Sequence, residues 1–99
     1  MRLVLAVVKP ALVESLRQAL AAVHVTRLTI CDAHGYGPPP AGDLRQEVML
    51  EIAVNDDFVN RTVQTLSTAV AGDPAARIYV LPIDSSVQIY RAVRGPEAV

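Results

Sequence analysis

The sequence contains few of the residues that mark secreted, membrane-spanning or nucleic-acid-binding proteins. Its single cysteine, Cys31, excludes an internal disulfide, so a reducing cytoplasm is the expected location. Lysine occurs once, at Lys9, and the net charge of -1 argues against the basic surface that a nucleic-acid partner requires. The opening apolar run, residues 3–8, is too short for a signal peptide. No run approaches the roughly 20 residues of a membrane helix, and we expect no membrane insertion.

Aromatic residues are also scarce: tryptophan is absent, and the chain has three tyrosines and one phenylalanine. Because 52% of the residues are hydrophobic, the predicted core is aliphatic and closely packed. A chain of 99 residues is too short for two cores, so residues 1–99 are expected to form one domain.

Hydrophobic periodicity predicts strands and helices in the order βαββαβ. Pro10 suits the first turn of the first helix, and Asn55 or Asp56 can cap the second, which ends before Gly72. The predicted elements are a strand at 2–8, a helix at 10–23, strands at 25–36 and 48–54, a helix to about residue 70, a strand at 77–82 and a short strand at 87–91. This order is typical of an α+β, ferredoxin-like fold with two helices on one face of a four-stranded antiparallel sheet.

The first strand is apolar on both of its faces. Two helices can cover only one face of the sheet, so the other face must be buried by something else. The alternating sets are Leu3, Leu5 and Val7 on one face and Val4, Ala6 and Val8 on the other. We therefore expect self-association through the sheets, and we expect aspartate at Val4 or Ala6 to disrupt the assembly.

The segment 25–37 predicts a strand that runs into a pair of glycines. Gly35 and Gly37 are expected to adopt conformations closed to other residues and to let a ligand approach the main chain. The prolines at 38–40 then end the ladder, because proline donates no backbone hydrogen bond. A turn needs the same residues, so the glycine pair alone is a weak signal.

Several motifs in the same order resemble the PII signal-protein family. The chain opens with an apolar strand followed by Lys9-Pro10, and the segment 25–37 is similar to the family's T-x-T-x-x-x-G-x-G. Residues 49–57 resemble K-I-E-I-V-V-P-D-D, residues 77–82 resemble K-I-F-V-L-P, and the ending at 94–99 is similar to R-G-E-x-A-L/V. The resemblance covers the whole chain.

The resemblance implies a homotrimer that binds adenine nucleotides in clefts between neighbouring subunits, near the base of a loop called the T-loop. It places Thr29 beside the adenine, Ala53 against the base, the backbone of Gly35 and Gly37 at the nucleotide, and Arg77 at a phosphate. The nucleotide-binding residues that it implies are Thr29, Gly35, Tyr36, Gly37, Ala53, Gly72, Asp73, Arg77, Tyr90 and Arg91. No catalytic residue and no cofactor are implied.

Departures from the family pattern affect the phosphate end of this predicted site. The glycine-rich loop of the family is one residue shorter here, at 71–77, and Pro74, Ala75 and Ala76 replace donors or glycines that could bind phosphate. Gln88 and Tyr90 stand where the family has paired arginines, which leaves Arg91 and Arg94 as nearby cations. We therefore expect AMP or ADP, or a small anion, to bind in preference to ATP.

The T-loop is reduced to residues 38–46, so uridylylation and the plugging of an ammonium channel are expected to be lost. The three prolines at 38–40 predict a stiff segment, and residues 41–43 predict a turn. The connection is either a plain hairpin or a short loop that binds a partner. The chain looks closer to divergent PII-like proteins linked to bicarbonate transport or carboxysomes than to the nitrogen regulators.

Two other function classes stay open. Cys31, Asp32, His34 and the nearby His24 allow a metal-binding trimer of the cation-tolerance type, although Cys31 points away from Asp32 and His34 along a strand. A structural interaction domain without a ligand is the other.

An enzyme is not expected, because no nucleophile stands beside a base and the carboxylates Glu47 and Glu51 have no implied partner. Lys9 either starts a helix or meets a carboxylate or phosphate. The sequence thus predicts a PII-like regulator that senses an adenine nucleotide, and bicarbonate as a second ligand, and relays this to a protein partner.

Overall fold

A computed structural model describes residues 1–37 and 42–99 of the chain. Within these residues the strands and helices follow the predicted order, with a short hairpin added near the end. The elements are β1 (Arg2–Val8), α1 (Val13–Ala22), β2 (Thr29–Tyr36), β3 (Leu44–Val54), α2 (Asp56–Ala69), β4 (Arg77–Pro82), β5 (Val87–Gln88) and β6 (Val93–Arg94). Short 3₁₀ turns at Pro10–Leu12 and Gly95–Ala98 precede α1 and follow β6.

The first four long strands form one antiparallel sheet in the order β2-β3-β1-β4, and β5 pairs only with β6. β1 lies in the middle, so that Val4 pairs with Ile52 of β3 on one side and with Val80 of β4 on the other. α1 connects β1 to β2 and α2 connects β3 to β4, and in both cases the two strands are not neighbours in the sheet. This is the ferredoxin-like arrangement. The predicted α+β fold class is therefore confirmed.

The core lies between the sheet and the two helices. Val4, Ala6 and Val8 of β1 are at most 2% exposed, and they belong to the same buried cluster as Leu16 and Leu20 of α1 and Leu66 of α2. Leu16 and Leu20 stand four residues apart, which places both on the face of α1 that meets the sheet. Val4 and Ala6 do not lie on a face that could associate, because both side chains belong to the core of the single chain, so aspartate there would act by unfolding the chain.

In the described part of the chain, neither α1 nor α2 packs on the other face of the sheet, here called the open face, and the C-terminal residues Ala98 and Val99 reach one end of it. Leu3, Leu5 and Val7 of β1 point to this face and are half-buried. The register places Met49, Glu51 and Ala53 of β3, Tyr79 and Leu81 of β4, and Thr29 and Cys31 of β2 beside them. Tyr79 and Leu81 are exposed. The open face is thus largely apolar, as the two-sided pattern of β1 predicts.

α1 ends in a hydrogen-bonded turn that shortens the following strand. His24 has a positive φ of 67°, and its N–H donates to the carbonyl of Ala21 at 3.0 Å. The N–H of Val25 donates to the carbonyl of Leu20 at 2.9 Å, and the buried Val25 packs into the core. These bonds form a Schellman motif, which uses residues that the sequence assigned to a strand. β2 therefore begins at Thr29 rather than at residue 25.

Other predicted boundaries also shift. β3 begins at Leu44 rather than near Val48, because pairing with β2 continues to the end of the ladder at Tyr36 and Leu44. The short strand predicted at 87–91 is instead the hairpin of β5 and β6. The connection between β2 and β3 spans residues 37–43, and the predictions for the triple proline and for Ala41 lie outside the described residues. In the described part of the chain, no helix is long and apolar enough to cross a bilayer.

Candidate functional site

A cluster of charged side chains, here called the loop-base cluster, lies where β2 and β3 run towards their connection. It consists of Lys9, Arg45, Glu47, Asp73 and Arg77. Arg77 donates a hydrogen bond of 3.2 Å to Glu47 Oε2, and Nη2 of Arg45 lies 3.8 Å from Glu47 Oε1. The Glu47 side chain is only 12% exposed. A carboxylate with little access to water is stable only beside cations, so the two arginines fix its position.

Gly35 makes room for this carboxylate. A Cβ built at Gly35 would lie 2.6 Å from Cδ of Glu47, closer than real side chains approach. Gly37 is different, because a Cβ there would lie at an ordinary 3.5 Å from Arg45. Neither glycine has a positive φ; among the described glycines, positive φ occurs at 42, 72 and 95. The expectation that this pair needs a special backbone is wrong, and the need at Gly35 is for space.

Lys9 and Asp73 form the other half of the loop-base cluster. Nζ of Lys9 lies 3.9 Å from Oδ1 of Asp73, whose side chain is 6% exposed. The same Oδ1 accepts a 3.0 Å hydrogen bond from the N–H of Ala75, while Oδ2 is buried without a partner among the described residues. A cavity of about 50 Å³ lies between Lys9, Arg45, Glu47 and Asp73. Lys9 thus meets a carboxylate, which was one of its two predicted roles.

In the loop before β4, the backbone N–H groups donate hydrogen bonds to nearby acceptors of the same chain segment. Besides the Ala75 bond, the N–H of Ala76 donates to the carbonyl of Asp73 at 3.3 Å, and that of Asp73 donates to Val70 at 3.0 Å. Pro74 has no N–H to donate. Arg77 also donates to the carbonyl of Ala75 at 3.2 Å. These donors are therefore engaged within the loop and do not point to a ligand.

Thr29 and Ala53 lie far from the loop-base cluster, although the sequence groups them in one site. Both are on the open face, where they line a cavity of about 160 Å³ with Glu51 and Leu3. Thr29 and Gly35 are separated by six residues of one extended strand, a distance of roughly 20 Å. A single chain therefore does not bring the predicted adenine and phosphate contacts together.

The remaining predicted residues have few contacts. Tyr36 is 75% exposed at the end of β2, and Tyr90 is fully exposed beside Arg91 in the turn between β5 and β6. Gly72 follows α2 with a φ of +94° and has open space around it. Their roles in nucleotide binding stay predictions.

The predicted metal residues are divided between the two sides of β2. Cys31 pairs across from Met49 towards the open face, whereas Asp32 and His34 point to the opposite face, as the alternation predicts. His24 belongs to the turn that ends α1. Among residues 1–37 and 42–99, no three His, Cys, Asp or Glu side chains form a group that could hold a metal ion.

Sequence reasoning missed the partners of Glu47 and the involvement of Arg45. The alternation of β3 places Glu47 on the same face as Met49, but only the register shows that Gly35 lies diagonally opposite. A glycine inside a strand often marks the close approach of another group, and Gly35 is the sequence signal that could have revealed the nearby Glu47 side chain. The expectation that Glu47 has no partner is wrong.

Comparisons with known proteins agree with the fold and the motifs. The sequence model of the family described as "Nitrogen regulatory protein P-II" matches residues 1–93. The chain belongs to this PII family. The Nitrogen regulatory protein GlnK1 of Methanosarcina mazei is 28% identical, over 100% of this chain and 97% of its own length. The Nitrogen regulatory protein P-II of Rhizobium etli is 29% identical, over the whole of both chains.

A third relative, the Nitrogen regulatory PII-like protein of Bacillus subtilis, is 30% identical over 94% of this chain and 91% of its own length. The alignment with the Methanosarcina protein spans 114 positions, more than this PII protein has residues, so that relative carries segments absent here. PII proteins are regulatory signal transducers rather than enzymes, and the absence of an enzymatic function follows from membership. As a family they bind nucleotides and interact with partner proteins.

Proposed function

We propose that this PII protein binds an adenine nucleotide, AMP or ADP in preference to ATP, between two subunits of a homotrimer and signals the bound state to a protein partner. The observation that carries the proposal is the separation of the predicted contacts along the open face. Thr29 and Ala53 lie at one end, whereas Gly35 and the loop-base cluster lie roughly 20 Å away. In an assembly, the Thr29 and Ala53 end of one copy can lie beside Gly35 and the loop-base cluster of another copy.

The apolar open face supports the association of copies. Leu3, Leu5 and Val7 are half-buried there, and the neighbouring Tyr79 and Leu81 are exposed. Water contact with such a face is unfavourable by about 25 cal/mol per Å² of apolar surface, so packing it against other copies stabilises the assembly. The number three rests on family membership, and the cytoplasmic location rests on the single-cysteine composition.

The preference for few phosphates is supported by the loop before β4. The N–H groups of Asp73, Ala75 and Ala76 are bonded within the loop, and Pro74 has none. Each charge-assisted hydrogen bond to a phosphate contributes about 1.5–3 kcal/mol, so donors that are absent or engaged weaken the binding of outer phosphates.

Bicarbonate fits the small cavity of the loop-base cluster as a second ligand. The cavity of about 50 Å³ has room for a group of a few heavy atoms. Lys9 and Arg45 supply positive charge to an anion, and Oδ2 of Asp73, which has no partner among the described residues, is available to accept a hydrogen bond. Bicarbonate has both the negative oxygens and the O–H donor that these groups require.

Calorimetric titration of the full chain tests the proposal. AMP, ADP and ATP are compared at equal magnesium concentration, with bicarbonate and divalent metal ions titrated separately. We expect AMP or ADP to bind at least as tightly as ATP, and bicarbonate to bind or to raise the nucleotide affinity. ATP binding ten times more tightly than ADP contradicts the nucleotide preference. Binding of a metal ion without any nucleotide supports the cation-tolerance alternative, and no binding at all supports the purely structural one.

A further inference from the structure

The loop-base cluster almost neutralises its own charge. It holds three cations, Lys9, Arg45 and Arg77, and two carboxylates, Glu47 and Asp73. The two carboxylates are 12% and 6% exposed, so their charges are only weakly screened by water. One positive charge remains in the cluster for a ligand.

Glu47 is the carboxylate that competes directly with a phosphate. It accepts the 3.2 Å hydrogen bond from Arg77, which is the predicted phosphate contact, and it faces Arg45 as well. A phosphate that binds either guanidinium therefore comes close to the glutamate. Two negative charges in a poorly solvated site repel each other, and the repulsion increases with every phosphate charge.

The position of Glu47 is built into the fold. Gly35 provides the space that its carboxylate fills, and a side chain at position 35 would require the end of the Glu47 side chain to move. The side chain of Asp73, which borders the same cavity, is 6% exposed, and its Oδ2 has no partner among the described residues. A buried acceptor of this kind favours a ligand that also carries a hydrogen-bond donor. The site thus combines limited positive charge with a demand for a donor.

We propose that Glu47 determines the charge selectivity of the site, by occupying the guanidiniums of Arg77 and Arg45 and so limiting the ligand to one with few negative charges. This inference rests on the proposed function and assigns its nucleotide preference to one residue. A monophosphate, or a small anion with an O–H group, is tolerated beside the glutamate. A triphosphate is disfavoured most, because it brings the most negative charge close to the glutamate.

The test compares wild type with Glu47→Gln, which keeps the size and shape of the side chain and removes its charge. AMP, ATP, inorganic phosphate and pyrophosphate are titrated into each protein at constant ionic strength. We expect the ratio of ATP affinity to AMP affinity to rise by roughly tenfold in the variant, and pyrophosphate to gain more than phosphate.

Glu14→Gln is the matched control. Glu14 is also a carboxylate paired with an arginine, Arg17, but it lies on the exposed surface of α1. The control makes the same change in net charge and should leave the ratio unchanged. Arg77→Gln provides an independent variant if Glu47→Gln does not fold, and it should lower the ratio, because Glu47 then faces the ligand with one cation fewer.

The outcomes separate this inference from the proposed function. If wild type binds nucleotides and neither variant changes the ratio, the role of Glu47 is wrong and nucleotide binding stands. If wild type binds no nucleotide but Glu47→Gln gains pyrophosphate binding, the role of Glu47 stands and nucleotide sensing fails. If no probe binds any of the proteins, both are wrong.

Discussion

Gly35 of β2 faces the carboxyl group of Glu47 in β3 so closely that the glycine has no space for a side chain. A Cβ at this position would lie 2.6 Å from Cδ of Glu47, and the carboxylate is held from the other side by Arg77. The glycine at position 35 is therefore explained by the nearby Glu47 side chain and not by its backbone angles.

Gly35→Ala should destabilise the protein by about 1 kcal/mol, because the methyl group must displace the flexible end of the Glu47 side chain and so weakens its ion pairs. Gly37→Ala is the control and should stay within about 0.5 kcal/mol, since its Cβ would be at contact distance from Arg45. Chemical denaturation measures both. In a Glu47→Ala background the Gly35→Ala effect should largely vanish, and a persisting loss would contradict the contact.

Leu5→Asp should dissociate the assembly and leave a folded monomer, because Leu5 points to the open face. Ala6→Asp, one residue further along β1, should unfold the chain, since Ala6 is completely buried in the core. An unpaired buried charge destabilises by several kcal/mol, a large share of the roughly 5–15 kcal/mol that stabilises a domain. Light scattering and circular dichroism distinguish the two results. A wild-type monomer at micromolar concentration would refute the association.

Arg77→Ala should weaken nucleotide binding by roughly tenfold or more, because a charge-assisted contact to phosphate is lost. Arg61→Ala is the matched control: it also removes an arginine, but one whose guanidinium lies 4.5 Å over the ring of Phe58 on α2. Titration calorimetry should show wild-type affinity for the control. Equal affinities for all three proteins would mean that Arg77 serves only to pair with Glu47.

Glu14 should stabilise the fold only above acidic pH. Hydrogen bonds from Arg17 and Gln18 lower the pKa of Glu14 from its ordinary value of 4.5. A carboxylate with a lowered folded-state pKa contributes stability that is present above the ordinary value and is lost as the pH falls through the lowered one. Wild type should therefore melt slightly above Glu14→Gln at neutral pH, and the difference should shrink as the pH falls below 4.5 and disappear once the pH is below the lowered pKa.

Arg17→Gln provides the second half of this test. It removes the main cause of the lowered pKa, so its melting temperature should also converge with that of wild type in acid. A difference that stays constant from neutral to acidic pH would show that the pair does not act through ionisation.

The sequence predicted the order of elements and the two-sided β1 because both depend on periodicity along the chain. It missed the start of β2, where the turn at His24 and Val25 uses tertiary burial of Val25 to end α1. The family resemblance implies that Thr29 and Gly35 take part in one cleft between neighbouring subunits, and this stays a prediction; in a single chain they lie roughly 20 Å apart along β2.

What the sequence by itself determined is the α+β fold class and the family, since these follow from local patterns of apolar residues and short motifs. Only the tertiary structure decided which face of β1 is core and which is open. It also decided that the Glu47 side chain lies between Arg45 and Arg77 with little access to water. Both depend on strand register, which brings together residues about thirty positions apart in the chain, and such pairings leave no periodic signal along the sequence.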